Sequence, residues 1–300
     1  MRGPGATAQT RAARLAPMAL LASGLVWGLC WLPLKGFAQQ GLTGNLIGAT
    51  AYALVALAAL PVLWRERHAW RGEGILLAAI GLSFGSANIA FTHALMAGDV
   101  VRAMLLFYLL PAWGALGGKL FLNERIGARR LLAVALSLLG VVIIMGGAQV
   151  LDGAFSTADG AALAAGFCYA AGGIANRRAR RIPVASRTMV TFIGCAGVAT
   201  IGLLLFPAAL PATGLSTWCL LILFAFLWLL GGTLLTTYGV THIEASRAAV
   251  LQVVELLVAV VSALLLGGGS LGMKDWIGGG MIITATLLEA TSANSEGNSA

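Results

Sequence analysis

The chain has 300 residues, of which 59% are hydrophobic and 10% charged, and a formal net charge of +8. A soluble domain carries about 25% charged residues, so the composition excludes an ordinary water-soluble globule and makes the bilayer the solvent. The positive charge does not point to nucleic acid, because the basic residues are dispersed in short loops between apolar runs.

Ten apolar stretches follow one another, at 17–34, 46–64, 74–96, 100–121, 129–147, 159–176, 188–207, 215–240, 247–267 and 275–290. About 20 apolar residues cross a bilayer as a helix, and a helix satisfies its own backbone groups in lipid. The predicted fold is therefore an all-α integral membrane protein with ten transmembrane helices. Residues 1–16 are read as a cytoplasmic N-terminal segment, 17–147 as a first set of five helices, 159–290 as a second, and 291–300 as a polar, disordered tail. The first span is read as a retained helix. Its 18 apolar residues exceed the usual 7–15 of a signal-peptide core.

The loops alternate in charge. Arg2, Arg11 and Arg14 precede the first span; Arg65, Arg67 and Arg71 follow the second; Lys119, Arg125, Arg129 and Arg130 surround the join of the fourth and fifth. Arg177, Arg178, Arg180, Arg181 and Arg187 lie between the sixth and seventh, and Arg247 opens the ninth. The opposite loops hold only Lys35, Arg102 and Lys274 of the 19 basic residues. Because Lys and Arg favour cytoplasmic loops, both termini are expected in the cytoplasm of a bacterial cell with an inner-membrane, multi-pass protein. The same charge attracts anionic headgroups.

Most spans carry small, polar or aromatic residues at helical spacing: Ser23, Trp27 and Trp31 in the first; Gly81, Gly85, Asn88 and Thr92 in the third; Tyr108, Pro111, Ala115 and Gly118 in the fourth. The sixth carries Ala162, Gly166, Tyr169, Gly173 and Asn176. The eighth carries Trp228, Gly231, Leu235 and Tyr238, and the ninth Ala248, Gln252, Glu255, Ala259 and Ser262. Spans five and ten are plainer and are expected on the outside, against lipid or a partner. Small residues let helix backbones approach closely, so packing is the simplest reading of the glycines.

The two sets of five resemble each other. Shifting residues 91–111 by 145 pairs Asp99 with Glu244, Arg102 with Arg247 and Ala103 with Ala248, at the start of the fourth span of each set. Five is odd, so the second set enters the membrane from the opposite side. Inverted repeats of this kind recur in secondary transporters, with the substrate site near the midplane between halves.

Glu255 is the only acid near the middle of a span. A charge at the bilayer centre costs at least ~3 kcal/mol, so Glu255 should face an interior cavity or be protonated. It either binds a substrate amine or a coupling proton, or clamps helices together with Gln252. All four tyrosines and Trp27, Trp31, Trp113 and Trp228 also lie within spans. A cavity lined by such rings suits a flat aromatic or apolar solute, whereas filler between helices is the plainer alternative. Trp27, Trp31, Tyr108, Tyr169, Trp228 and Tyr238 are the candidate apolar surface. Asn88, Gln252 and Glu255 are the candidate polar contacts, and Pro111 is the candidate hinge.

Gly81–Gly85 reads GxSxG, which admits an intramembrane hydrolase using Ser83. Its histidines are poorly placed, His93 being about 15 Å along the same helix. Cys30, Cys168, Cys195 and Cys219 lack CxxC spacing, so no zinc site or disulfide framework is expected. There is no Walker A motif, no HExxH and no dinucleotide fingerprint, and no cofactor or metal is expected. The expected partners are a small-molecule substrate, the lipid bilayer and a coupling proton, with no nucleic acid. A non-transporting membrane scaffold is the other alternative.

Three segments carry a family resemblance: LVWGLCWLPLKG (25–36), FTHALMAGDVVRA (91–103) and LLPAWGALGGKLFLNERIGARRLLAVALSLLGVVII (109–144). With Pro111, Glu124 and Gly140 in place, the chain resembles EamA-type members of the drug/metabolite transporter superfamily. The second half departs from the pattern. Glu255-Leu256 stands where the family has Glu-Pro, and Gly269 occupies the position matching Glu124. The resemblance implies ten helices in two inverted five-helix repeats, both termini cytoplasmic, and a central cavity built by helices 1, 3, 4, 6, 8 and 9. Length and aromatic content are similar to the YddG-type exporters of aromatic amino acids, which implies export of such solutes by alternating access.

Overall fold

The computed structural model describes residues 4–122, 127–144, 155–207, 210–242, 245–266 and 272–297. Among them every regular element is helical, and there is no strand. The first predicted span is two helices, α1 (Pro4–Gly28) and α2 (Trp31–Gln39). Proline supplies no N–H to the preceding turn. The chain breaks just before Pro33, where Leu32 N donates to Leu29 O at 3.1 Å. α3 (Gly44–Arg65) starts from Thr43, whose side chain accepts from Leu46 N at 3.2 Å, and it carries Pro61 without interruption. α4 (Gly74–Ala97) follows.

The fourth span is also divided, into α5 (Val100–Phe107) and α6 (Leu110–Leu122). Asp99 caps α5 by accepting from Arg102 N at 2.8 Å. The break falls at Tyr108–Leu109, and Pro111 is the second residue of α6, where its missing N–H would have no helical acceptor. α7 (Ala128–Ile144) ends the first half.

In the second half, α8 (Thr157–Arg178) opens with a capping box between Ser156 and Asp159. α9 (Val184–Leu205) is continuous. The eighth span contains an unexpected π-helical turn, Phe224–Leu230, between α10 (Leu215–Leu223) and α11 (Gly231–His242). α12 (Ala245–Leu266) and α13 (Met273–Gly297) complete the chain.

Two boundaries differ from the sequence reading. α1 begins at Pro4 and α13 runs to Gly297, inside the segments read as an N-terminal arm and a disordered tail. Extending an existing helix costs far less than nucleating one, so polar residues beyond a span can remain helical. Among the described residues, seven helical stretches are long and apolar enough to cross a membrane: Leu15–Gln39, Gly44–Arg65, Gly74–Ala97, Val100–Leu120, Thr157–Arg178, Val184–Leu205 and Leu215–His242. The other predicted spans correspond to the shorter apolar helices Leu131–Ile144 and Leu251–Leu266 and to α13.

The packing between halves is reciprocal. α3 packs on α9, and α7 on α13, each pairing a helix with its counterpart in the repeat. α4 on α8 is matched by α11 on α1, and α5 and α6 on α8 by α12 on α1. Glycines permit the closest approaches. A Cβ on Gly85 of α4 would lie 2.6 Å from the carbonyl oxygen of Gly194 on α9, and one on Gly140 of α7 would lie 2.7 Å from that of Gly278 on α13. Spans five and ten therefore meet each other.

The two ends of the bundle differ. At one, Glu66 at the end of α3 meets Ser186 at the start of α9, among the arginine-rich turns. At the other, Lys35 Nζ donates to Gly98 O at 3.0 Å, Thr217 Oγ1 to Gln40 Oε1, and Arg102 Nε to Asp159 Oδ1 at 2.7 Å.

Candidate functional site

The most informative grouping lies between the halves. Glu255, near the middle of α12, shares an electrostatic environment with Tyr108, Tyr169 and Cys30, from the break in the fourth span, α8 and the break in the first. Tyr108 Oη donates to the backbone carbonyl of Gln252, one turn before Glu255, at 3.4 Å. Gly24 and Gly28 of α1 let that segment come close: a Cβ on Gly28 would be 2.7 Å from Glu255 O. The Glu255 turn of α12 is thus held against α1 and against the break in the fourth span.

Rings surround it. Phe107 meets Phe91 at 4.5 Å between centroids, Tyr108 at 5.6 Å and Tyr169 at 5.6 Å, and Phe84 meets Tyr169 edge-on at 5.2 Å. Edge-to-face geometry sets the positive ring edge on the negative face. Tyr169 remains 38% exposed. Phe84, Phe91 and Phe107 were absent from the expected set because phenylalanine in an apolar span carries no signal that separates it from core.

A second polar group adjoins the first. Tyr52 Oη on α3 donates to Asn88 Oδ1 at 3.1 Å, and Asn88 Nδ2 donates to Phe84 O one turn back at 2.8 Å. Both polar side-chain atoms of Asn88 therefore have protein partners.

The tryptophans bridge helices. Trp27 Nε1 donates to Thr236 Oγ1 at 3.2 Å, Trp31 Nε1 to Ser262 Oγ at 2.9 Å, and Trp228 Nε1 to Val26 O at 2.6 Å. Each indole N–H is spent on a helix–helix bond, leaving only ring surface for contact. Tyr238 is not gathered with the others; its ring lies 4.4 Å from that of His242, an exposed residue at the end of α11. Pro111's backbone lies next to the break at Tyr108–Leu109. Glu124, Glu244 and Gly269 lie outside the described residues.

Ser83 sits half-buried on α4. His93 is on the same helix, His68 is in the turn after α3, and His242 Nδ1 engages Tyr238 O at 2.7 Å. Among the described residues none of them hydrogen-bonds Ser83. The four cysteines are free.

At the arginine-poor end a cavity of about 370 Å³ opens between α2, the start of α5 and the end of α12. It joins Trp31 to Lys35, Gln39 and Asp99. The last three were not among the expected contacts, because loop-end charges read as ordinary solvated groups until a cavity surrounds them.

A helical bundle of this hydrophobicity, with paired halves, is a membrane-embedded, multi-pass protein. The chain belongs to the EamA-like transporter family, which matches it twice, over residues 14–146 and 156–290, once for each half. It is similar to an uncharacterized transporter of Pseudomonas aeruginosa, with 28% identity over 127 residues, covering 40% of this chain and 43% of that protein. The alignment thus spans less than half of that relative. A solved crystal structure of a protein superposes with a TM-score of 0.59 at 17% identity, over 93% of this chain and 98% of the other, a likeness of fold. Family and relative point to a transporter rather than an enzyme.

Proposed function

We propose that this protein is a secondary transporter that exports small zwitterionic metabolites, aromatic or apolar amino acids, by alternating access. In this reading ten helices form two inverted five-helix repeats around a central cavity, in a bacterial inner membrane with both termini cytoplasmic. The observation that carries it is Glu255, an ionisable group in the middle of an apolar helix, grouped with Tyr108 and Tyr169 where the halves meet. Such a group in lipid is costly and marks a pathway.

The chemistry is that of a zwitterion with an apolar side chain. Glu255 offers an anion to an ammonium group, or a carrier for a coupling proton. The rings of Tyr108, Tyr169, Trp27 and Trp228 offer contact to an aromatic side chain. Trp31 links this region to the cavity holding Lys35 and Asp99, which serves as the mouth at the arginine-poor end. Reciprocal packing supports two halves that rock against each other, with the interruption beside Pro111 as the bending point.

The test is uptake of labelled Phe and Trp into proteoliposomes, with and without a pH gradient. Saturable uptake, accelerated by a gradient if a proton is exchanged, is expected. Failure of correctly folded protein to move any amino acid overturns the substrate assignment.

A further inference from the structure

A groove at the arginine-rich end has no part in that pathway. It lies on the outward faces of α3 and α9 and encloses about 800 Å³, within the range of small-ligand sites. Its walls are apolar, with Leu57, Leu60, Val190 and Ile193 prominent, and its end is closed by Trp64, Arg67 and Trp70. Leu57 is 64% exposed and Trp64 69%, so the groove faces the surrounding medium, which for a membrane-embedded bundle is lipid.

The polar end is built with care. Trp70 Nε1 donates to Leu63 O at 3.3 Å, fixing the second indole against the end of α3. Arg67 Nη1 donates to Trp64 O at 2.9 Å, and the guanidinium carbon lies 4.6 Å from the centre of the Trp64 ring. These contacts use one of five N–H donors; among the described residues the others have no protein partner. Among the described residues the adjacent acid makes no ion pair with Arg67. Glu66 Oε2 is taken by Ser186, accepting from its N at 3.1 Å and its Oγ at 2.5 Å. Arg65 and Arg71 bring the basic residues of this turn to three, against the two acids Glu66 and Glu73.

We infer that this groove binds one anionic phospholipid, its acyl chain along α3 and α9 and its phosphate on Arg67 between the two tryptophans. The charge selects the occupant: an oriented guanidinium with open donors matches phosphate bidentately, and indoles settle at the headgroup level. A neutral apolar solute would leave Arg67 unused, and a second copy of this chain would set Arg67 against its own like charge in a symmetric contact.

The test is native mass spectrometry of delipidated protein in mild detergent, titrated separately with phosphatidylglycerol and phosphatidylcholine, alongside thermal melting. One phosphatidylglycerol should bind in preference to phosphatidylcholine and raise the melting temperature. Arg67→Gln should weaken it about fivefold, the effect of one basic residue at an anionic surface. Val190→Trp should block the groove while leaving Arg67 in place, and should abolish the preference by a second route. Arg129→Gln, on another loop, should have no effect. The inference is overturned if both lipids bind alike, if neither Arg67→Gln nor Val190→Trp alters binding, if inorganic phosphate alone reproduces the stabilisation, or if the species that forms is a dimer without lipid.

Discussion

Arg102 and Asp159, 57 positions apart, join the two halves at the arginine-poor end: Arg102 Nε donates to Asp159 Oδ1 at 2.7 Å, between α5 and the first turn of α8. Asp159 is buried, and its other oxygen accepts from Ser156 N at 2.9 Å. The same carboxylate therefore starts a helix and ties one repeat to the other. Arg102→Ala should lower stability by about 2 kcal/mol, the usual loss for a hydrogen bond to a charged group. Asp159→Ala should cost about 1 kcal/mol more, because the cap goes too. Melting of both single variants and the double variant in detergent checks this; the losses should fall short of additive.

Gly85 and Gly173 look alike in sequence, each a glycine within an apolar helix, and behave differently. Gly85→Ala places a methyl against the Gly194 carbonyl, a backbone group that cannot swing aside, and should destabilise by about 1–3 kcal/mol. A Cβ on Gly173 meets nothing within 4 Å. Gly173→Ala should be neutral or stabilising by up to about 1 kcal/mol, from helix propensity. Thermal melting of the two proteins should separate them.

Trp31→Phe keeps an aromatic ring, though a smaller one, and deletes the donor to Ser262. The expected coupling in a double-mutant cycle with Ser262→Ala is about 0.6 kcal/mol, typical of hydrogen bonds between membrane helices. A coupling indistinguishable from zero would mean that the indole is held by packing alone.

Glu255→Gln separates the transport role from a structural one. The amide keeps the shape and removes the cost of a charge in lipid, so the variant should fold at least as well as the parent. Transport should fall about tenfold or more, the size of one lost charge-assisted contact. Unchanged transport in liposomes, with unchanged dependence on a pH gradient, would leave Glu255 as a helix clamp.

Local features of the molecule were legible before any coordinates. Asp99 is read at the start of the fourth span, which it caps, and Pro111, the candidate hinge, stands beside the break in that span. The outlying position of Glu255 and the matched Asp99 and Glu244 also came from residue order alone. None of this says which helix a residue faces. Tyr52 as the partner of Asn88, Thr236 as that of Trp27, and Phe84, Phe91 and Phe107 around Tyr169 are products of packing. The π-helical turn at Phe224–Leu230 has no counterpart in hydropathy.

The sequence by itself determined the solvent, the helical class, the twofold organisation and the loop charge, because each follows from composition, periodicity or spacing along one chain. The tertiary structure alone decided which small residues are contacts, which polar atoms already have partners, and which charges border a cavity. The reason is physical. In a bilayer the lipid-facing and protein-facing sides of a helix are both apolar, so hydropathy locates a span without orienting it. Only the meeting of helices distant in sequence distinguishes the interior from the hydrocarbon.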